Sequence, residues 1–248
     1  GPMLAAARAL RLPAVLTEAD AHLGLANRLA APFARRVFLS FPIAGRSGPK
    51  YRVTGRPIPA SSLPRPRAEA RRLLDLPPDG PLLLVFGGSL GARILNDLAV
   101  ESFGPAGPAV LHLCGARDYE ALRPRVQRED YRLLPAVEDF GAALGAADLA
   151  LARAGGSVWE LAAAGLPAVL VPGAFATGDH QTKNARYLER GGGAAVVPEG
   201  EAPRAAALVL ELLADTERLG AMRRAMTALA RPDAAELIAT ELIALAAS

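Results

Sequence analysis

Cysteine is almost absent from this 248-residue sequence: Cys114 stands alone, so no intrachain disulfide can form. It ends an apolar run beside Leu111 and Leu113, where a buried small hydrophobe is expected. Lysine is equally scarce, limited to Lys50 and Lys183, and aromatics make up 5% of the chain. The net charge is only +3, and no basic run is interleaved with aromatics, which argues against a nucleic-acid partner. The three histidines, His22, His112 and His180, lie far apart, and no stretch has metal-ligand spacing. Long apolar runs are missing too. The uncharged stretch from Leu161 to Gly178 is broken by Gly165, Pro167, Pro172 and Gly173, short of the ~20 apolar residues that span a bilayer. Nothing in the sequence reads as a signal peptide.

Short apolar runs, each followed by a small-residue loop and a helical pattern, are what the chain does have. From Pro81 onward they fall at Leu82–Phe86, Val110–Leu113, Tyr131–Leu134, Leu149–Ala152, Ala168–Val171 and Ala194–Val197. That grammar predicts an α/β domain with about six parallel strands. Leu82–Phe86 is continuous rather than alternating, as expected for a strand covered on both faces. Ahead of them, residues 14–17, 37–40 and 51–54 read as short strands and residues 3–10 and 25–34 as helices. Four prolines between Pro57 and Pro66 mark a stiff, extended linker. The expected organisation is a partial Rossmann-like unit over 1–58, a linker with a short helix over 59–80, a Rossmann-like domain over 81–230, and a C-terminal helix over 231–248 that packs back on the first unit.

In parallel sheets ligands bind beyond the carboxyl ends of the strands, and the polar residues of this chain gather there. Gly87-Gly88-Ser89-Leu90-Gly91 opens a helix after a strand, so its backbone N–H groups suit a phosphate. It also satisfies a tight βα turn, and it matches the G-x-S-x-G elbow of serine hydrolases, with Ser89 as nucleophile and Asp148 or Asp179 and then His180 completing the order. Arg153-Ala154-Gly155-Gly156-Ser157-Val158-Trp159-Glu160 repeats the theme. Glu160 is placed to accept bonds from two ribose hydroxyls, and Ser157 with Glu160 also fits a capping box. Asp179 is spaced to cap the next helix, putting His180 and Gln181 in its first turn.

Taken together, these segments resemble the MurG family, which transfers N-acetylglucosamine from UDP to a lipid-linked muramyl peptide in peptidoglycan synthesis. The resemblance runs through Gly87 to Arg93 with Leu95-Asn96, Val137-Glu138-Asp139-Phe140, Ala147-Asp148, Arg153-Ala154-Gly155, Glu160-Leu161, Ala164-Gly165-Leu166-Pro167 and Asp179-His180-Gln181 with Asn184-Ala185. Gly24 to Arg28 and Thr54-Gly55 with Pro57 also fit. It implies a GT-B fold of two Rossmann-like domains, with the donor held by the second. It implies that Val137 holds the uracil through its backbone beside Phe140, and that Glu160 binds the ribose. Ser89, Gly156 and Ser157 would lie at the diphosphate, His180 and Gln181 at the sugar hydroxyls, with Gly155 a further donor-binding residue. Asp20, Arg56 and Arg93 are further donor-side contacts on this reading. No metal and no cofactor beyond the UDP-GlcNAc donor are expected, and helix N-termini would stabilise the departing UDP in an inverting displacement at the sugar C1. The implied location is the cytoplasmic face of the plasma membrane, where the lipid-linked acceptor lies.

Three departures accompany the resemblance. Asp20 stands where the family has Asn. Pro59 stands where it has Arg, with Arg56 nearby as a substitute. The segment between Gly156 and Glu160 is one residue short. The family's opening glycine-rich loop, which ends in the His proposed as general base, has no counterpart in this sequence. The chain is therefore expected to be the later, donor-binding part of such an enzyme, the rest being supplied by a longer polypeptide or a separate chain.

Overall fold

The computed structural model describes residues 2–88, 92–173 and 179–246. Its first unit contains α1 (Pro2–Ala9), β1 (Val15–Glu18), α2 (Leu25–Ala30), β2 (Arg36–Leu39) and β3 (Tyr51–Val53). The three strands form a parallel sheet in the order β1-β2-β3. Val37 and Leu39 of the central strand are fully buried with Ala31 and Ala34 in a small core of their own.

The second unit begins with α3 (Arg67–Leu73) and then alternates strand and helix as far as α9. β4 (Leu82–Phe86), α4 (Arg93–Phe103), β5 (Ala109–Leu113), α5 (Ala116–Leu122), β6 (Tyr131–Leu134) and α6 (Phe140–Ala146) make its first half. β7 (Leu149–Ala152), α7 (Val158–Ala163), β8 (Ala168–Leu170), α8 (His180–Arg190), β9 (Ala194–Val196), α9 (Pro203–Ala214) and α10 (Thr216–Leu229) make the second. All six strands are parallel, in the order β6-β5-β4-β7-β8-β9. The strand order reverses between β4 and β7, which opens a crevice at their carboxyl ends.

The continuous apolar runs are explained by two cores. On β4, Leu82, Leu84 and Phe86 face one core with α6, α7 and α8, while Leu83 and Val85 face the other with α4 and α9. β7 divides in the same way, Ala150 and Ala152 to one side and Leu149 and Leu151 to the other. Alternation therefore sorts side chains between two buried faces rather than between core and water.

The proline-rich stretch does not hang free as a spacer. Its backbone lies across α6 where that helix carries Gly141 and Gly145: a Cβ at either glycine would stand 2.1 Å from the carbonyl oxygen of Leu63 or Arg65. Arg65 N donates to Gly141 O at 3.2 Å. Behind it, Arg71 is 1% exposed and donates to the carbonyls of Ala146, Pro77, Pro78 and Gly80 and to Asp148. Burial holds its guanidinium below the ordinary arginine value. Proline bars this stretch from helix and ladder, but an extended backbone can lie against a helix that presents no Cβ. Residues 60–76 thus form a wall of the second unit.

The last helix, α11 (Ala234–Ala246), crosses back to the first sheet. Glu241 pairs there with Arg36 at 3.2 Å and Arg52 at 3.0 Å. Gly55, at φ +81°, turns the chain beneath Arg231, whose Cβ leaves no room for a side chain at that position. Among the described residues, no helix is long and apolar enough to cross a membrane.

Candidate functional site

A cavity of about 330 Å³ opens at the crevice between β4 and β7. Its floor is apolar: Phe86 at the end of β4, Leu113 at the end of β5, and Val137 and Phe140 at the head of α6. The Phe86 and Phe140 rings meet edge to face at 5.3 Å. Gly88, at φ +90°, turns the chain out of β4 along the rim, a conformation that suits glycine. Ser157 and Glu160 of the α7 turn close the other side. An apolar slot with one carboxylate at its edge fits a flat ring that carries a hydroxylated arm.

α6 is aimed into this slot by its cap. Asp139 accepts from Ala142 N at 2.9 Å and pairs with Arg65. The Ala142 N–H, and then Arg65, hold the Asp139 carboxyl below the usual range. Glu160 is held differently from the expected capping box: Ser157 occupies the N-cap position of α7 but its side chain makes no cap bond. Glu160 Oε1 instead accepts from Ser62 Oγ at 2.7 Å, a partner on the proline-rich wall. Asp179 likewise precedes α8 without capping it, because its backbone is left-handed at φ +54° and its side chain makes no cap bond.

The structure thus gathers Val137, Phe140, Ser157 and Glu160 around one cavity. Ser89 lies outside the described residues. Gly155 and Gly156 form the turn between β7 and α7, and Gly156 is covered by Arg56: a Cβ there would meet the guanidinium at 2.1 Å. Gln181 lies past the end of β8, where its Oε1 accepts from Gly173 N at 2.9 Å. His180 stacks on His22 across the seam between the units, with ring centroids 6.5 Å apart. Asp20 accepts from Asn184 Nδ2 at 3.0 Å at that seam. Arg93 is turned to Asp118 of α5, 3.8 Å away, rather than to the cavity. Arg153 is anchored to Val171 O and to Glu199.

Of the residues in the serine-hydrolase reading, Ser89 lies outside the described residues, and the place of Asp148 rules it out as the acid. Asp148 sits at the amino end of β7, where it accepts from Leu82 N at 2.9 Å, at the opposite edge of the sheet from the Gly87 turn. Asp179 and His180 are neighbours, and the His180 ring is taken up by His22. Cys114 is buried, and burial pushes its thiol to about 11, so it is no nucleophile at neutral pH. Among the described residues, no group of three or more His, Cys, Asp or Glu is arranged to hold a metal ion.

Two features of this seam and wall carry no sequence signal of their own. Ser62 reads as linker, and Phe41 as one apolar residue in a loop. Yet Phe41 is fully buried between Trp159 of α7, at 4.9 Å, and Tyr187 of α8, at 5.2 Å. It seats the first unit in the core of the second.

Known proteins share this architecture. The sequence profile of the glycosyltransferase family 28 C-terminal domain matches residues 82–238. A UDP-N-acetylglucosamine–N-acetylmuramyl-(pentapeptide) pyrophosphoryl-undecaprenol N-acetylglucosamine transferase from Halothermothrix orenii is 33% identical over 94% of this chain and 68% of its own length. The transferase of the same name from Salinibacter ruber is 38% identical over 99% of this chain and 69% of its own. The crystal structure of Acinetobacter baumannii MurG superposes with a TM-score of 0.79 at 28% identity, covering 96% of this chain and 68% of that one. The calicheamicin glycosyltransferase CalG4, at 22% identity and a TM-score of 0.66 over 98% of this chain and 70% of its own, shares the fold. The two Rossmann-like units joined by a crossing C-terminal helix are a GT-B arrangement, although the chain spans only about two-thirds of the length of these relatives. Likeness in sequence and in fold runs through nearly the whole of the chain, which therefore belongs to the MurG family of glycosyltransferases, with its family 28 C-terminal domain at residues 82–238.

Proposed function

We propose that this chain carries the UDP-GlcNAc-binding side of a transferase that moves N-acetylglucosamine onto a lipid-linked muramyl-peptide acceptor for peptidoglycan synthesis. The observation that carries this reading is the cavity at the switch point, with its apolar floor and the carboxylate of Glu160 at its rim. Its size and lining suit a uracil against Phe86, Val137 and Phe140, with the ribose hydroxyls at Glu160. The diphosphate then follows the glycine turns after β4 and β7. Arg56, which reaches across from the first unit to Gly156, supplies a cation at the second turn and stands in for the arginine that Pro59 replaces. His180 and Gln181, beyond β8, face the transferred sugar.

In the transfer itself, the bond from an acceptor oxygen to the sugar C1 forms as the C1–O bond to UDP breaks, inverting the configuration. The charge developing on the leaving diphosphate is met by Arg56 and by the N-terminus of α4, with no metal required. The acceptor proton passes to a base that the family resemblance assigns to sequence ahead of β1. The acceptor side is completed by further polypeptide, preceding residue 1 or in a separate chain, and the reaction takes place at the cytoplasmic face of the membrane that holds the acceptor lipid.

Titration calorimetry with UDP and UDP-GlcNAc tests the donor side: saturable binding of both is expected, and binding of neither would refute it. An assay of this polypeptide alone with UDP-GlcNAc and a lipid-linked acceptor tests the acceptor side. No turnover is expected, and sustained turnover would show that nothing further is needed.

A further inference from the structure

Ser62 is 3% exposed, although it lies in the proline-rich stretch between the two units. A single helical turn, Ala60–Ser62, fixes it, with Ser62 N donating to Pro59 O at 2.9 Å. Its hydroxyl reaches Glu160 Oε1 at 2.7 Å, 98 residues further along the chain. The next residues are locked in turn. The carbonyls of Leu63 and Arg65 lie on Gly141 and Gly145 of α6, and Arg65 pairs with Asp139, the cap that aims α6 at the cavity. One short segment therefore touches both the carboxylate at the rim and the helix that builds the floor.

A glutamate on a cavity wall has three side-chain torsions and several rotamers within reach. A buried hydroxyl donating to one oxygen selects among them, and a bond to an ionised acceptor is stronger than a neutral one. We propose that Ser62 is a positioning residue, which holds the Glu160 carboxylate turned into the cavity for the ribose hydroxyls of the nucleotide. This rests on the reading of Glu160 as the ribose contact. It extends the donor site to a residue between the units, so that seating of the proline-rich segment and affinity for the nucleoside sugar are coupled.

The test is a set of calorimetric titrations of the full chain and its Ser62→Ala, Ser62→Thr, Glu160→Ala and Ser62→Ala/Glu160→Ala variants. The probes are UDP and its 2′,3′-dideoxy analogue. Ser62→Ala is expected to weaken UDP by about tenfold, the size of one charge-assisted hydrogen bond. Ser62→Thr, which keeps the hydroxyl, restores affinity, and the double variant binds no more weakly than Glu160→Ala. The dideoxy analogue, which offers Glu160 nothing, binds wild type and Ser62→Ala alike. If Ser62→Ala weakened both probes equally, or if its loss added to that of Glu160→Ala, Ser62 would be merely structural and the proposal overturned. Unchanged UDP affinity in Ser62→Ala beside a clear loss in Glu160→Ala would overturn this proposal alone. No effect of Glu160→Ala would overturn the ribose reading beneath it.

Discussion

Asn184 and Asp20 meet across the seam between the two units: Asn184 Nδ2 donates to Asp20 Oδ1 at 3.0 Å, while Asn184 Oδ1 accepts from Ala21 N at 2.8 Å. The same amide donates to Ala154 O at 3.2 Å, after β7. One fully buried side chain on α8 thereby ties together the loops that follow β1 and β7. It also accounts for a departure from the family pattern, since the carboxylate of Asp20 accepts this bond as an asparagine oxygen would. Asn184→Ala is expected to cost about 2–3 kcal/mol in chemical denaturation, because it leaves buried polar groups without partners. Asn184→Asp keeps the shape but sets a second carboxylate against Asp20. It is expected to lose more stability at pH 7 than near pH 4, where protonation relieves the repulsion.

The glycines of this chain divide by what a methyl group would strike. At Gly141 and Gly145 it would strike backbone carbonyls 2.1 Å away, which cannot move without lifting the proline-rich wall off α6. Gly141→Ala and Gly145→Ala are each expected to destabilise the fold by about 2 kcal/mol or more, read from urea midpoints. At Gly156 the obstacle is the end of the flexible Arg56 side chain. Gly156→Ala should therefore melt within about 1 kcal/mol of wild type, yet bind UDP more weakly because Arg56 is pushed off the turn.

His112, on β5, is fully enclosed. Its Nδ1 lies 2.9 Å from the Tyr131 hydroxyl and its Nε2 3.0 Å from Asn96 Oδ1, and burial lowers its pKa to about 3. Unfolded, the same imidazole takes up a proton below about 6.5. Between those values the unfolded chain binds one more proton than the folded one, so stability falls as the pH falls, by up to about 1.4 kcal/mol per pH unit. Asp118, Asp130 and Asp139 are held below the usual carboxylate value by Arg117, Arg128 and the Ala142 N–H respectively. The stability they contribute is present above the usual value and is lost only as the pH falls below it. The limb between pH 6.5 and pH 4 therefore belongs to His112. Urea titrations across that window are expected to show a shallower slope for His112→Gln than for wild type. Equal slopes would assign the limb elsewhere.

The second unit was legible because its periodicity is local. β4, β6 and β7 fall where their apolar runs predict, and the helices between them shift by only a few residues. α5 begins at Ala116, three residues ahead of expectation, because Gly115 at φ +82° lets the chain turn at once. Glu160 was recognisable from its motif, and Val137 and Phe140 from the family resemblance; the cavity brings the three together. The contacts of Ser62, Phe41 and His22 were not legible, because each depends on a residue more than a hundred positions away or nearly so, and none sits in a patterned stretch. The caps failed for a related reason. Ser157 and Glu160 have capping-box spacing, but a buried hydroxyl from the proline-rich wall claims the carboxylate first.

Val137 tests most directly whether the cavity at the end of β4 and β7 is the seat of the nucleotide. Val137 is half-buried on the cavity floor, packed against the edge of the core beneath, so a long charged side chain there fills the slot. Titration calorimetry of wild type and Val137→Arg with UDP is the decisive measurement. Saturable binding by wild type and an affinity lower by about a hundredfold or more in Val137→Arg, with both chains equally folded, is the predicted result. Equal affinity in the two, or no binding by wild type, would contradict it.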